Sequence, residues 1–147
     1  MTRVVAGTDL AKRIDLQLPG SVVTSNSSEV AVRSDALHDT LRFLRDDEDL
    51  DFQFLNSVSA VDYVEYFELV YHLTSLRRNS SCVVKSRLYS RDDPTVQSAV
   101  DLWRGAELQE REIFDLMGIM FEGHPNMKRI LLWEGFPGHP LRKDFIR

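Results

Sequence analysis

The chain has 147 residues, enough for one domain with a real apolar core, and 43% hydrophobic content with eight Phe argues against disorder or coiled coil. A net charge of −5 is a poor footprint for non-specific nucleic-acid binding. That charge is uneven, −8 over residues 1–123 and +3 over residues 124–147, so a small basic segment follows an acidic body. A single cysteine, Cys82, excludes an internal disulfide, a four-thiolate Fe–S cluster and a cysteine-based zinc site. No secretory leader is legible in Met1–Asp15, and no apolar run approaches the ~20 residues of a membrane span.

In chain order, Thr8–Ile14 reads as a short helix that Pro19-Gly20 stops. Two brief strands follow at 21–25 and 29–33 with a Ser/Asn turn between them. Ser34 reads as an N-cap, and Leu37, Leu41 and Leu44 recur at helical spacing, which predicts an amphipathic helix over 35–46. Five acids between Asp46 and Asp51 read as a solvated loop. Three β runs come next, at 52–61, 66–76 and 81–89, the last two forming a hairpin through Arg77–Ser80. A helical segment is expected to open near Thr95. A second helix, or its continuation, runs from Gly105 or Ala106 to Met117 and stops at Gly118. Repeated Pro and Gly make 121–147 extended. Strands follow one another instead of alternating with helices. The expected fold is therefore α+β, with a mostly antiparallel or mixed sheet of about five strands, flanking helices and an extended C-terminal tail. The division is an α+β domain over 1–120 and a partner-docking segment over 121–147.

A wheel of the helix ending at Met117 puts Glu110 amid Leu102, Trp103, Ala106, Ile113, Phe114 and Met117. A carboxylate on an apolar face must be paired, and an Arg from the basic tail is the expected partner. Glu107, Arg111 and Asp115 share a neighbouring face, where an exposed charge ladder is expected. Glu110 and Glu112 point ~160° apart, too divergent for a shared two-carboxylate catalytic site. His124 and His139 each sit in a Gly-His-Pro turn, where backbone bonding is the expected role and metal ligation with Glu122 or Asp144 the lesser reading. Cys82 reads as a buried thiol. No glycine-rich phosphate loop is present. In the tail, Arg142, Lys143 and Asp144 lie between Leu141 and Phe145, with Pro137 and Pro140 stiffening the approach. That pattern suits docking on a protein groove, or packing back on its own domain.

Glu110-Arg111-Glu112, Asp115, Gly118-Ile119, Phe121, Gly123-His124-Pro125, Arg129-Ile130-Leu131 and Gly138-x-Pro140-Leu141-Arg142-Lys143-Asp144-Phe145 form one ordered pattern. It closely resembles the signature of the 30 kDa subunit family of respiratory complex I, whose bacterial members belong to NADH-quinone oxidoreductase. The resemblance implies a structural subunit of the peripheral arm of a proton-translocating NADH:quinone oxidoreductase, on the cytoplasmic face of the membrane. It implies no redox centre in this chain and no catalysis by the isolated chain, with NADH, flavin, Fe–S clusters and quinone held by partner subunits. The implied neighbour is chiefly the large quinone-site subunit. Related family members serve membrane-bound hydrogenases and F420-linked dehydrogenases. On this reading Glu110 awaits its Arg, Arg111 and Asp115 order the helix surface, and His124, Pro125 and Arg129 fix the turn into the tail. Arg142, Lys143 and Asp144 grip the partner, with Leu141 and Phe145 as anchors.

Overall fold

The computed structural model describes residues 2–145. Strand β1 (Arg3–Val4) leads into helix α1 (Gly7–Gln17), strands β2 (Val22–Ser25) and β3 (Val30–Val32), and helix α2 (Leu37–Asp46). Three nine-residue strands follow, β4 (Phe54–Asp62), β5 (Phe67–Ser75) and β6 (Ser80–Leu88). Strand β7 (Thr95–Gln97), helix α3 (Ala106–Met117) and strand β8 (Met120–Glu122) complete the described elements.

The main sheet runs β2-β3-β6-β5-β4, with β1 added beside β6. β4, β5 and β6 pair antiparallel, whereas β3 and β1 run parallel to β6, so the sheet is mixed. The fold is α+β, as the order of elements led one to expect. Alternation decides the faces: Phe67, Leu69, Tyr71 and Leu73 of β5 are buried, while His72 between them is exposed. Leu10 and Ile14 of α1, and Leu37, Leu41 and Leu44 of α2, join these residues in a single apolar cluster. Across the other face, Lys85 bridges Glu29 and Glu68, with Nζ–O distances of 2.7 and 3.4 Å.

Three local expectations are corrected. Ser34 makes no side-chain cap; it opens a short 3₁₀ turn, Ser34–Ala36, ahead of α2. The helix expected near Thr95 is strand β7, which pairs parallel with β8 and forms a second, two-stranded sheet. Its β-branched Thr95 and Val96 find a partner some 25 residues downstream, which no local window can reveal. The stretch after Gly118 accordingly begins with a strand before turning into loops. Gly118 ends α3 as expected, in the left-handed conformation at φ 76°. A Cβ there would also lie 2.7 Å from the His139 ring, so both conformation and space demand glycine.

Candidate functional site

Helix α3 carries two fully buried carboxylates, Glu110 and Asp115, with opposite solutions to the same cost. Glu110 Oε1 accepts the Ser98 hydroxyl at 2.5 Å, and Oε2 accepts the Ala99 N–H at 2.8 Å. No arginine among the described residues pairs with it, which corrects the expected pairing with a tail Arg. Burial pushes the Glu110 carboxyl up to about 7, against the two hydrogen bonds that favour its charged form. The Tyr71 hydroxyl is also buried and has no hydrogen-bond partner among the described residues. Its ionisation is pushed up by burial and by the nearby Glu110.

Asp115 takes the arginine instead. Its Oδ1 accepts Arg129 Nη1 at 3.0 Å. Its Oδ2 accepts three successive backbone N–H groups, from Ile130, Leu131 and Leu132, at 3.2, 2.7 and 2.9 Å. Burial alone would raise this carboxyl, but the backbone donors and the Arg129 charge outweigh it and hold the carboxyl below the usual range. The expected exposed ladder is thereby corrected. Glu107, Arg111 and Asp115 do share a face, but that face is the seat of segment 124–132. The Glu107 carbonyl accepts His124 Nε2 at 2.9 Å, while His124 Nδ1 accepts the Asn126 N–H. Arg111 donates to the carbonyls of Lys128 and Arg129, both at 3.0 Å. Glu112, on another face, lines a groove with Gln109 and Ile113.

The tail also completes the C-terminus of α3, where the last carbonyls of any helix lack intrahelical partners. Gly118 N–H caps the Phe114 carbonyl at 2.8 Å. His139 Nδ1 donates to the Asp115 carbonyl, and Leu141 N–H donates to the Leu116 carbonyl, both at 2.9 Å. Both Gly-His-Pro histidines therefore bond backbone. Among the described residues, no group of three His, Cys, Asp or Glu side chains is placed to hold a metal ion.

A second clasp holds the end of the tail. Asp62, at the end of β4, takes both Arg91 Nη atoms at 2.7 and 2.8 Å and the Lys143 N–H at 2.8 Å. Arg91 and Arg142 both reach Asp144, and each lies over the Phe67 ring. Arg142 also donates to the Arg91 carbonyl. The side chains of Arg142 and Asp144 are thus engaged within the domain, while that of Lys143 faces solvent. Phe145 stacks on Phe136, which meets Trp133 edge-on. Pro125 and Pro140 follow the two histidines and hold the turns on which they act. Ser98, Asp62 and Arg91 lay outside every sequence motif; each gains its meaning from a contact made across the fold.

Several of the uncovered side chains are large and apolar. Leu131, Trp133 and Leu141 are 61, 64 and 59% exposed, and Ile130 lies beside them in sequence. The arrangement holds a rigid segment and presents apolar side chains.

The family model for the respiratory-chain NADH dehydrogenase 30 kDa subunit matches residues 30–147. The chain belongs to this family. The NADH-quinone oxidoreductase C subunit of Rhodobacter capsulatus is 41% identical over 144 residues, covering 93% of this chain and 71% of the relative. A chain in the solved membrane-bound sulfane sulfur reductase, an archaeal respiratory membrane complex, matches 95% of this chain and 85% of its own length. Its TM-score is 0.76 and its identity 28%. The solved trypsin-resistant fragment of Nqo5 matches 66% of this chain and 80% of its own length, with a TM-score of 0.56 and 30% identity. The family pattern read from the sequence falls on α3 and both clasps.

The two carboxylates should respond differently to substitution. Asp115→Ala leaves Arg129 and three N–H groups without their acceptor. It should lower unfolding free energy by about 3–5 kcal/mol in urea denaturation. It should also speed tryptic cleavage after Lys128 and Arg129. Glu110 behaves oppositely: its folded pKa lies above its unfolded value of 4.5. Stability from this group is full below about 4.5 and falls as pH rises to about 7, by on the order of 3 kcal/mol. Glu110→Gln should remove that slope, seen as a flatter urea midpoint between pH 5 and 7 than the parent's.

Proposed function

We propose that this chain is the 30 kDa structural subunit of a proton-translocating NADH:quinone oxidoreductase, within the peripheral arm and on the cytoplasmic face. Family membership carries the reading, and the site chemistry agrees with it. Two clasps hold segment 124–145 against the domain, so that exposed apolar residues are offered in a fixed arrangement. The segment docks on the large quinone-site subunit through Ile130, Leu131, Trp133 and Leu141, with the Lys143 side chain as an available cation. Arg142, Asp144 and Phe145 serve that docking by shaping the segment. The chain by itself is non-catalytic. NADH, flavin, Fe–S clusters and quinone belong to partner subunits, in keeping with the single buried Cys82. Among the described residues no helix is long and apolar enough to cross a membrane, so attachment runs through partner proteins. A place in a related hydrogenase or F420-linked dehydrogenase complex is less favoured, because relatives 41–42% identical over 90% or more of this chain are NADH-quinone oxidoreductase C subunits.

Affinity purification of the tagged chain from solubilised native membranes tests this. The expected co-purifying set, identified by mass, is a large quinone-site subunit with NADH- and flavin-binding subunits. A nickel- or F420-binding module in their place would reassign the complex, and recovery of the chain alone would overturn the reading. Combining Leu131→Ser with Trp133→Ser should reduce that recovery at least about tenfold. Both side chains are exposed, so the melting temperature of the isolated variant should stay within about 2 °C of the parent's.

A further inference from the structure

Strand β4 is one edge of the main sheet. Tyr63 N–H bonds the Tyr66 carbonyl at the β4–β5 turn, which fixes the alternation of ladder bonds along β4. Val61 and Ser59 turn their backbone groups to β5, and Val58, Ala60 and Asp62 turn theirs outward. The Val58 N–H agrees with that parity, because it donates outward to Gln109 Oε1 of α3 at 2.7 Å. Among the described residues, the Val58 carbonyl, both Ala60 groups and the Asp62 N–H find no backbone partner along this edge.

Edges of this kind are normally blunted by Lys, Pro, a bulge, short length or a covering helix or loop; at β4 the helix α3 covers the Val58 N–H through Gln109. The opposite edge, β2, has only four residues and a register shift. β4 has nine residues, and its register shift lies near its start, between Leu55 and Ser57. It contains no Pro and no Lys or Arg. Its one acid, Asp62, is consumed by Arg91. Beside this edge runs a groove of about 180 Å³, walled by the apolar Val58, Ala60, Ile113, Leu116 and Leu141 together with the polar Ser59, Gln109 and Glu112.

We infer that β4 is an acceptor edge on which an extended, apolar segment of the neighbouring subunit adds as a further strand, with one aliphatic side chain seated in the groove against Leu141. This rests on the reading of the chain as a docked subunit. Unpaired backbone groups at a two-residue repeat match the spacing of extended backbone, and the mainly apolar groove wall favours an apolar side chain. Leu141 is at once a wall of the groove and a member of the exposed apolar set, so edge and tail form one continuous surface.

Hydrogen exchange read by mass decides it, comparing the isolated chain with the complex purified through the tagged chain. The amides of segment 57–62 should exchange at least about tenfold more slowly in the complex. Equal exchange, with the neighbouring subunit present in the sample, overturns this inference and leaves the functional reading intact. Recovery of the chain alone overturns both. Protection that grows with concentration of the isolated chain makes the occupant a second copy and also overturns it. Ala60→Pro removes one outward donor without touching the β5 ladder, a substitution edge strands tolerate. It should keep the parent's circular dichroism yet lose at least about tenfold of the co-purified neighbour; undiminished recovery overturns the inference.

Discussion

The Asp115 carboxylate ties the end of one helix to the start of the segment that follows it. Four hydrogen bonds converge on its two oxygens, three from consecutive backbone N–H groups and one from Arg129. A run of N–H groups can point at one oxygen only if the backbone curls around it, so the acid dictates the path of residues 129–132. Arg129 then reaches the Gly138 carbonyl and sets the approach to the second clasp. Ion pairs on the surface are worth little, but this one has a carboxylate with no solvent access. The conformation of the tail depends on it.

Glu110 lies less than two helical turns away and follows the other rule. Among the described residues no cation pairs with it; a serine hydroxyl and one amide bond it, the Tyr71 hydroxyl lies near, and the negative charge of Asp101 adds to the pressure against ionisation. Low local polarisability therefore favours the neutral acid, where at Asp115 it strengthens a charged network. Ser98 and Ala99 follow β7 directly, so Glu110 anchors the small β7–β8 sheet to α3 from within. The two acids hold the two sides of one helix.

Backbone groups left over at the ends and edges of elements organise much of this fold. The orphan carbonyls of α3 receive the tail, a Gln109 side chain blocks one amide of the β4 edge, and Asp62 gathers the Lys143 amide. Such groups are costly if left dry and unpaired. A chain that satisfies some of them with its own tail and leaves a matched row open beside apolar side chains is shaped for assembly.

Much of the element order was legible in the chain, as were the helix 106–117 with its Gly118 stop, the β5–β6 hairpin, the buried Glu110 and the family pattern. All of these rest on local propensity, on periodicity or on a motif of nearby residues. Helical spacing also placed Glu107, Arg111 and Asp115 on one face, because that spacing is fixed by geometry. It could not say what covers that face. The pairing of Arg129 with Asp115 instead of Glu110, the strand at Thr95–Gln97, and the hold of Asp62 and Arg91 on the tail emerged with the folded chain. Each depends on contacts between segments well separated in sequence, where partner choice is set by the path of the whole chain.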